Sequence, residues 1–287
     1  MNGILLVDKP AGPSSHAVVA GIRRVLGTRE LGHAGTLDPQ ATGLLVLAVG
    51  KATRWLPYLP TGKRYRATLR LGLATDTEDI WGLPTETSAD TGVDAGRLRA
   101  ALESLTDLKE QAPPMVSAVK VAGRRLYAMA REGISVVREP RPVRVDAVRV
   151  LAVRPLEADF EVDCGPGTYV RTLCVEAGRR LGLPACLAAL RRLACGPFSV
   201  EQSLPQERWT VEDLGAALLD SASALAHLPE RSLTAQEAEA VEHGRAVEGP
   251  AGSAQGTWRL TSGGRLLALA ESGPQGALRP TRVFSGA

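Results

Sequence analysis

The sequence is poor in the groups from which metal and redox sites are made. It has four cysteines, Cys164, Cys174, Cys186 and Cys195, and no two of them form a C-x-x-C pair. No histidine lies near them at zinc-ligand spacing, so buried free thiols are expected and a zinc site is not. Long apolar runs are missing as well. The run LLVLAV, Leu44 to Val49, has the length of a strand and not of a membrane span. The opening MNGILLVDKP has neither a basic leader nor an extended apolar region, so no secretory signal is read and a cytoplasmic location is expected. Phosphate-binding patterns also fail. GKAT at Gly50–Thr53 lacks a glycine at the upstream spacing of a P-loop, and it has alanine where a hydroxyl would hold magnesium. No G-x-G-x-x-G follows a strand, and no G-x-S-x-G or zinc-deaminase signature occurs. DTED, Asp76–Asp79, lacks the glycine and later glutamate of a calcium loop. The chemistry left is one that uses no cofactor and no metal.

What is present is enough chain for one large domain, or a large and a small one: 287 residues, 44% of them hydrophobic. Net charge is only +3, but it is uneven. Lys51–Arg70 carries six basic residues and no acidic one, Asp76–Glu110 nine acidic and three basic, Lys120–Arg154 nine basic and three acidic. Two basic stretches fit either a patch for a polyanion or a solvated surface balanced by acidic neighbours. Periodicity predicts a buried strand at Ile4–Val7, a helix from a Ser14 or Ser15 cap to about Leu26, a buried strand at Leu44–Val49 and a half-buried strand at Lys63–Gly72. A helix is expected over Leu98–Leu105 and a short one over Leu126–Arg131. A hairpin is expected from Arg144–Val153 and Ala158–Asp163. A Thr168-capped helix to about Leu181, a helix over Ala185–Leu190 and a strand near Leu193–Val200 follow. After His227, LPERSL reads as a linker. A helix at Ala235–His243 and strands at Thr257–Leu260, Leu266–Glu271 and Ala277–Phe284 then form a small, mostly β module.

The stretch GHAGTLDPQATG, Gly32 to Gly43, stands out between these elements. Pro39 biases Asp38 to an extended backbone, and the glycines allow another backbone or a ligand to come close. Taken alone, this is a turn with punctuating glycines. It is nevertheless long for a connector, gathers His33, Thr36, Asp38, Gln40 and Thr42, and leads straight into a buried strand that would support a site.

GHAGTLDPQATGLLVLAVGKATR closely resembles the catalytic motif of the TruB family of pseudouridine synthases, bacterial enzymes acting on uridine 55 of tRNA. LLVDKPAGPSSH resembles that family's Lys-Pro motif, KRYRATLRLGLATDTED its tyrosine-bearing strand, GPGTYVRTL its arginine motif and LRRLACGPF its leucine-arginine motif. SLTAQEAEAVEHG opens what resembles a small RNA-binding PUA module. The likeness runs over nearly the whole chain in the same order. It implies an α+β pseudouridine synthase fold, with a central mixed and largely antiparallel sheet flanked by helices, over residues 1–229. A β-rich PUA-like domain would fill 230–287, and an RNA-clasping insertion about 115–145.

The resemblance implies isomerisation of a flipped T-loop uridine in tRNA, without guide RNA, cofactor, metal, membrane or obligatory protein partner, by a monomer. A carboxylate suits that reaction, because its ionised form can attack carbon or remove a ribose proton. The resemblance makes Asp38 that carboxylate and Arg171 its partner. It makes Tyr65 the ring that stacks on the base and takes part in removing the carbon 5 proton. Tyr169 and Leu190 become pocket walls, His33 a neighbour of the flipped nucleotides, Lys9 a support for the active-site strand, and Asp79 an acidic group linked to RNA contacts. Lys120, Arg124 and Arg125 would meet phosphates. Residue by residue, local physics offers plainer alternatives: Tyr65, Tyr169 and Leu190 as core, Arg171 as a surface helix residue, His33 and Asp79 as solvated loop positions.

Overall fold

The computed structural model describes residues 1–89, 92–250, 255–273 and 276–284. Its main sheet is built from β1 (Gly3–Lys9), β2 (Leu31–His33), β3 (Thr42–Val49), β4 (Lys63–Leu71), β5 (Val145–Arg154), β6 (Glu157–Cys164) and β7 (Ala185–Cys195). The order across it is β1-β3-β7-β4-β6-β5, with β2 paired to β3 and a short strand, Phe198–Ser199, paired to β7. All pairings are antiparallel except β7 to β3, which is parallel and joins only Arg191 to Thr42 and Arg192 to Gly43. The largely antiparallel mixed sheet expected from the sequence is therefore present.

β3 reads as a continuous apolar run because both of its faces are covered. Leu44 and Val46 pack with Trp55 and Leu225 on one side. Leu45, Leu47 and Val49 pack with Val18, Val19 and Ile22 of α1 (Ser15–Leu26) on the other. Ser14 caps α1 by accepting from the Ala17 amide, and Gly27 ends it in the left-handed region. β4 alternates as its sequence predicts, with Tyr65, Ala67, Leu69 and Leu71 buried. Helices α2 (Ala95–Glu103) and α4 (Val170–Leu181) cover that face, while α3 (Leu126–Arg131) lies in the insertion.

Four local expectations are corrected. Ala185–Leu190 is not a helix but the first half of β7, paired with β4 from Ala185↔Leu71 to Cys195↔Lys63. ACLAAL has no alternation to reveal a strand, since Ala185, Cys186 and Leu187 are buried in succession and the register shifts between Leu187 and Ala189. That strand ends at Cys195, and Val200–Gln202 is a 3₁₀ turn. Thr168 does not cap α4; the N-cap position is Tyr169, without a side-chain cap, and the Thr168 hydroxyl reaches the Arg144 carbonyl at 3.4 Å. LPERSL is not a bare linker, because Glu230–Ser232 forms a strand parallel to Thr257–Ser262.

The basic stretches are corrected in part. The outward arginines of β4 face acids of β6: Arg64 meets Asp163 at 2.6 Å, Arg66 meets Glu161 at 2.8 Å and Arg70 meets Glu157 at 3.4 Å. Arg149 and Arg154 of β5 add pairs to Asp163 and Asp159. Exposed pairs of this kind stabilise little singly, but they neutralise the sheet's outer face as a phosphate track.

The C-terminal strands form a five-stranded sheet around Trp258, Leu260, Ala268, Ala270 and Leu278, with the helix Ala235–Glu242 against it. Leu266, Leu269 and Phe284 pack on Trp55, Leu59 and Leu225 of the larger unit. Of the Gly/Ser-rich joins expected here, residues 251–254 and 274–275 lie outside the described residues, as does 285–287.

Gly43 decides where β3 and β7 meet. Its φ is +100°, and a β-carbon there would stand 2.3 Å from the Arg192 carbonyl oxygen. Gly43→Ala is expected to cost about 3 kcal/mol or more and to lower the melting temperature by about 6–12 °C, as measured by circular dichroism. An unchanged melting temperature would mean that the strand junction tolerates separation.

Candidate active site

The loop from β2 to β3 carries Asp38, and three side chains fix its shape from beneath. The fully buried Lys9 donates to the carbonyls of Pro10, Pro39 and Ala41 at 2.9, 3.1 and 2.7 Å. Burial is the main reason its pKa falls to about 8, with Asp38 acting in the opposite direction. Lys9 thus holds the loop following Asp38 as well as lying in strand β1. Ser15 accepts from the Leu37 amide at 2.7 Å and donates to the Leu37 carbonyl at 2.9 Å. Arg192, also fully buried, donates to the carbonyls of Leu44, Thr36 and Gly35. The Asp38 carbonyl accepts from Ala41, closing a turn around Pro39.

Arg171, on the first turn of α4, is 2% exposed and meets the Asp38 carboxylate at 2.9 Å, Asp38 itself being 35% exposed. Its other donors reach the carbonyls of Thr77 and Val116 at 2.7 and 2.8 Å. Asp79 lies 4.0 Å from the same guanidinium. The surface-helix alternative for Arg171 is thereby excluded. Asp79 is buried rather than solvated, and it accepts from the Thr77 hydroxyl and the Trp81 amide. Burial is the first cause raising its pKa, opposed by those hydrogen bonds and by Arg171. A bridge from Asp79 to Leu187 and the left-handed Glu78 fix this hairpin to β7.

Above Asp38 lies a cavity of about 160 Å³ whose walls include Tyr65, Tyr169, Leu190 and Lys63. Burial pushes the Tyr65 hydroxyl up to about 12, against the opposing charge of Arg192, so its ring is neutral at physiological pH. Gln111 holds the Tyr169 backbone by accepting from its amide at 3.0 Å and donating to its carbonyl at 3.3 Å. Next to this cavity, a groove of about 730 Å³ runs between the Asp38 loop and the insertion, with Ser14, His16, Arg125, Tyr127 and Arg131 on its walls. His33 is half-buried and sits edge-on to His16, ring centroids 5.5 Å apart. Burial and then His16 lower its pKa.

Asp38, Arg171, Tyr65, Tyr169 and Leu190 are thus brought together around one cavity, with Asp79 near Arg171 but off the cavity wall, Lys9 beneath it and His33 beside it. Lys120, Arg124 and Arg125 stand apart, exposed on the insertion. Arg124 is engaged by Glu132 at 2.7 Å, and Arg125 and Arg131 lie over the Tyr127 ring. Sequence reasoning missed Arg192, Ser15, Gln111 and Lys63. A buried arginine beside Leu190 in an apolar strand was the available signal for Arg192.

Residues 23–170 match the family described as "TruB family pseudouridylate synthase (N terminal domain)", and residues 229–284 match "Pseudouridine synthase II TruB, C-terminal". The chain belongs to the TruB family of pseudouridine synthases. Among TruB relatives, tRNA pseudouridine synthase B of Mycobacterium sp. (strain KMS) is 44% identical over 95% of this chain and 93% of its own length. That of Thermobifida fusca (strain YX) is 42% identical over 99% of both. The TruB fold is also similar to the solved "Crystal Structure of a Cbf5-Nop10-Gar1 Complex", with a TM-score of 0.75, 27% identity, and coverage of 98% of this chain and 84% of that one.

Proposed function

We propose that this pseudouridine synthase isomerises the T-loop uridine, position 55, of tRNA, with Asp38 as the catalytic carboxylate. The observation that carries the reading is the Asp38–Arg171 pair at the floor of a small cavity walled by Tyr65, Tyr169 and Leu190. A uridine stacked in a folded loop reaches Asp38 only after flipping, at a cost of a few kcal/mol. Stacking on Tyr65 and apolar contact with Leu190 offset part of that cost. Arg171 holds the carboxylate and aims it. The carboxylate oxygen then either attacks the ribose carbon or takes a ribose proton; the glycosidic bond breaks, the base turns, carbon 5 joins C1′ as the carboxylate is released or the ribose proton returned, and carbon 5 gives up its proton while N1 gains one.

Residues 1–229 act as the catalytic domain, with an RNA clasp at about 115–145, and 230–287 as a PUA-like RNA-binding domain. The partner is the T-arm of tRNA, and the enzyme works in the cytoplasm as a monomer without guide RNA or an obligatory protein partner. The test is incubation with unmodified tRNA carrying tritium on uridine carbon 5. Release mapping to the T-loop uridine is expected; binding without release would make the protein an RNA-folding factor instead.

The insertion, rather than the sheet face, supplies phosphate contacts in this reading. Replacing Arg125 and Arg131 together by alanine is expected to weaken tRNA binding about tenfold at 0.1 M salt and to flatten the salt dependence by about two ions. An unchanged slope in filter-binding titrations would place the phosphate track elsewhere.

A further inference from the structure

β4 sends Lys63 and Tyr65 to the same face of the sheet, two residues apart, and both line the cavity over Asp38. Besides Lys9, which holds the carbonyls of Pro39 and Ala41 from beneath, three cations meet that cavity or the loop behind it. Arg171 is engaged by Asp38 and two carbonyls, and Arg192 by three carbonyls. Lys63 differs: among the described residues its ammonium makes neither a hydrogen bond nor an ion pair. Its head rests against Gly35, where a β-carbon would stand 3.4 Å from Nζ and 3.5 Å from Cε. Burial, then Arg192, lowers its pKa. A partly desolvated cation without an acceptor is unfavourable in the empty cavity. It becomes favourable when negative charge arrives within reach.

We propose that Lys63 is a further catalytic residue, whose ammonium holds the negative charge of the uracil ring once the glycosidic bond has broken. The proposal rests on the isomerisation assigned above. When the bond from C1′ to N1 breaks, its electron pair leaves with the base and spreads onto O2 and O4. The charge persists until the ring's electrons form the bond from carbon 5 to C1′; the neutral adduct then loses its carbon 5 proton and gains one on N1. Lys63 stays protonated throughout; no proton or electron passes through it. Poor pairing in the free enzyme and good pairing with the anion direct the interaction to the transition state rather than to substrate binding. Its place beside Tyr65 and Leu190, inside the cavity for the base, favours the ring oxygens over a backbone phosphate.

The experiment uses the full-length enzyme and a T-arm stem-loop carrying tritium on uridine carbon 5. Single-turnover release and filter binding are measured for wild type, Lys63→Met and Lys63→Arg. Lys63→Met is expected to slow release at saturating enzyme about 100-fold, with the dissociation constant changed less than about threefold. Lys63→Arg, which keeps the cation, is expected within about tenfold of wild type. Unchanged release at saturation, with weaker binding and a salt slope reduced by about one ion, would overturn the proposal in favour of a phosphate contact. Equal slowing in both variants with a lowered melting temperature would overturn it in favour of a structural role. Wild-type release, abolished by Asp38→Asn, tests the isomerisation itself; its absence would sink that reading, separately from any effect at Lys63.

Discussion

Asp38→Asn is expected to lower pseudouridine formation by more than about 10⁴-fold, while RNA affinity stays within about threefold of wild type. The substitution keeps the size of the side chain and an oxygen that can accept from the Arg171 Nε, now 2.9 Å from the carboxylate. It removes the negative charge, and a neutral amide neither attacks carbon nor accepts a ribose proton at a useful rate. The fold loses little, because Asp38 is partly open to solvent and Arg171 retains two carbonyls and Asp79. Affinity is retained because phosphate contacts, which carry most of it, lie outside the cavity. Tritium release followed over hours against wild type is the measurement, and substantial turnover in the variant would remove Asp38 from its assigned role.

Arg171→Met is expected to damage both chemistry and stability. The guanidinium is 2% exposed and is the shared partner of Asp38, Asp79 and the carbonyls of Thr77 and Val116. Methionine fills similar space but leaves two carbonyls and the Asp38 carboxylate without their donor, and Asp79 without its nearby cation. Breaking a buried ion pair from one side costs about 3–5 kcal/mol, and denaturant titration should show a loss of that size. Release should fall about 10³-fold, because an unpaired Asp38 loses its aim. Asp79, already held up by burial, would rise further without the opposing cation. Arg171→Lys should fall between, since one ammonium replaces a guanidinium fork. A methionine variant as stable as wild type would mean that this network does not tie α4 to the loop.

Legibility in the sequence followed burial pattern. β4 was readable because one face is covered and the other carries arginines, giving strict alternation. α1 was readable from its cap and apolar stripe. β7 was not, because Ala185, Cys186 and Leu187 are buried in succession and register shifts break its period. The loop motif drew attention to Asp38, but nothing local marked Arg171, whose neighbours Val170 and Leu173 face the core while its own side chain turns to a carboxylate 133 residues earlier in the chain. Charge runs misled for the same reason: composition along the chain does not reveal that Arg64, Arg66 and Arg70 face Asp163, Glu161 and Glu157 across the sheet.

The sequence by itself determined the membership of the fold class, the position of the carboxylate-bearing loop and the order of the main motifs, because each is written in contiguous residues whose periodicity and turn chemistry act locally. Only the tertiary structure decided which cations meet Asp38 and which are engaged elsewhere. It turned Arg192 and Lys9 into anchors for loop carbonyls, and it set Lys63 beside Tyr65 without a hydrogen-bond acceptor among the described residues. Those outcomes depend on strands pairing across more than a hundred residues, and a charge acquires its partner only when that pairing is complete.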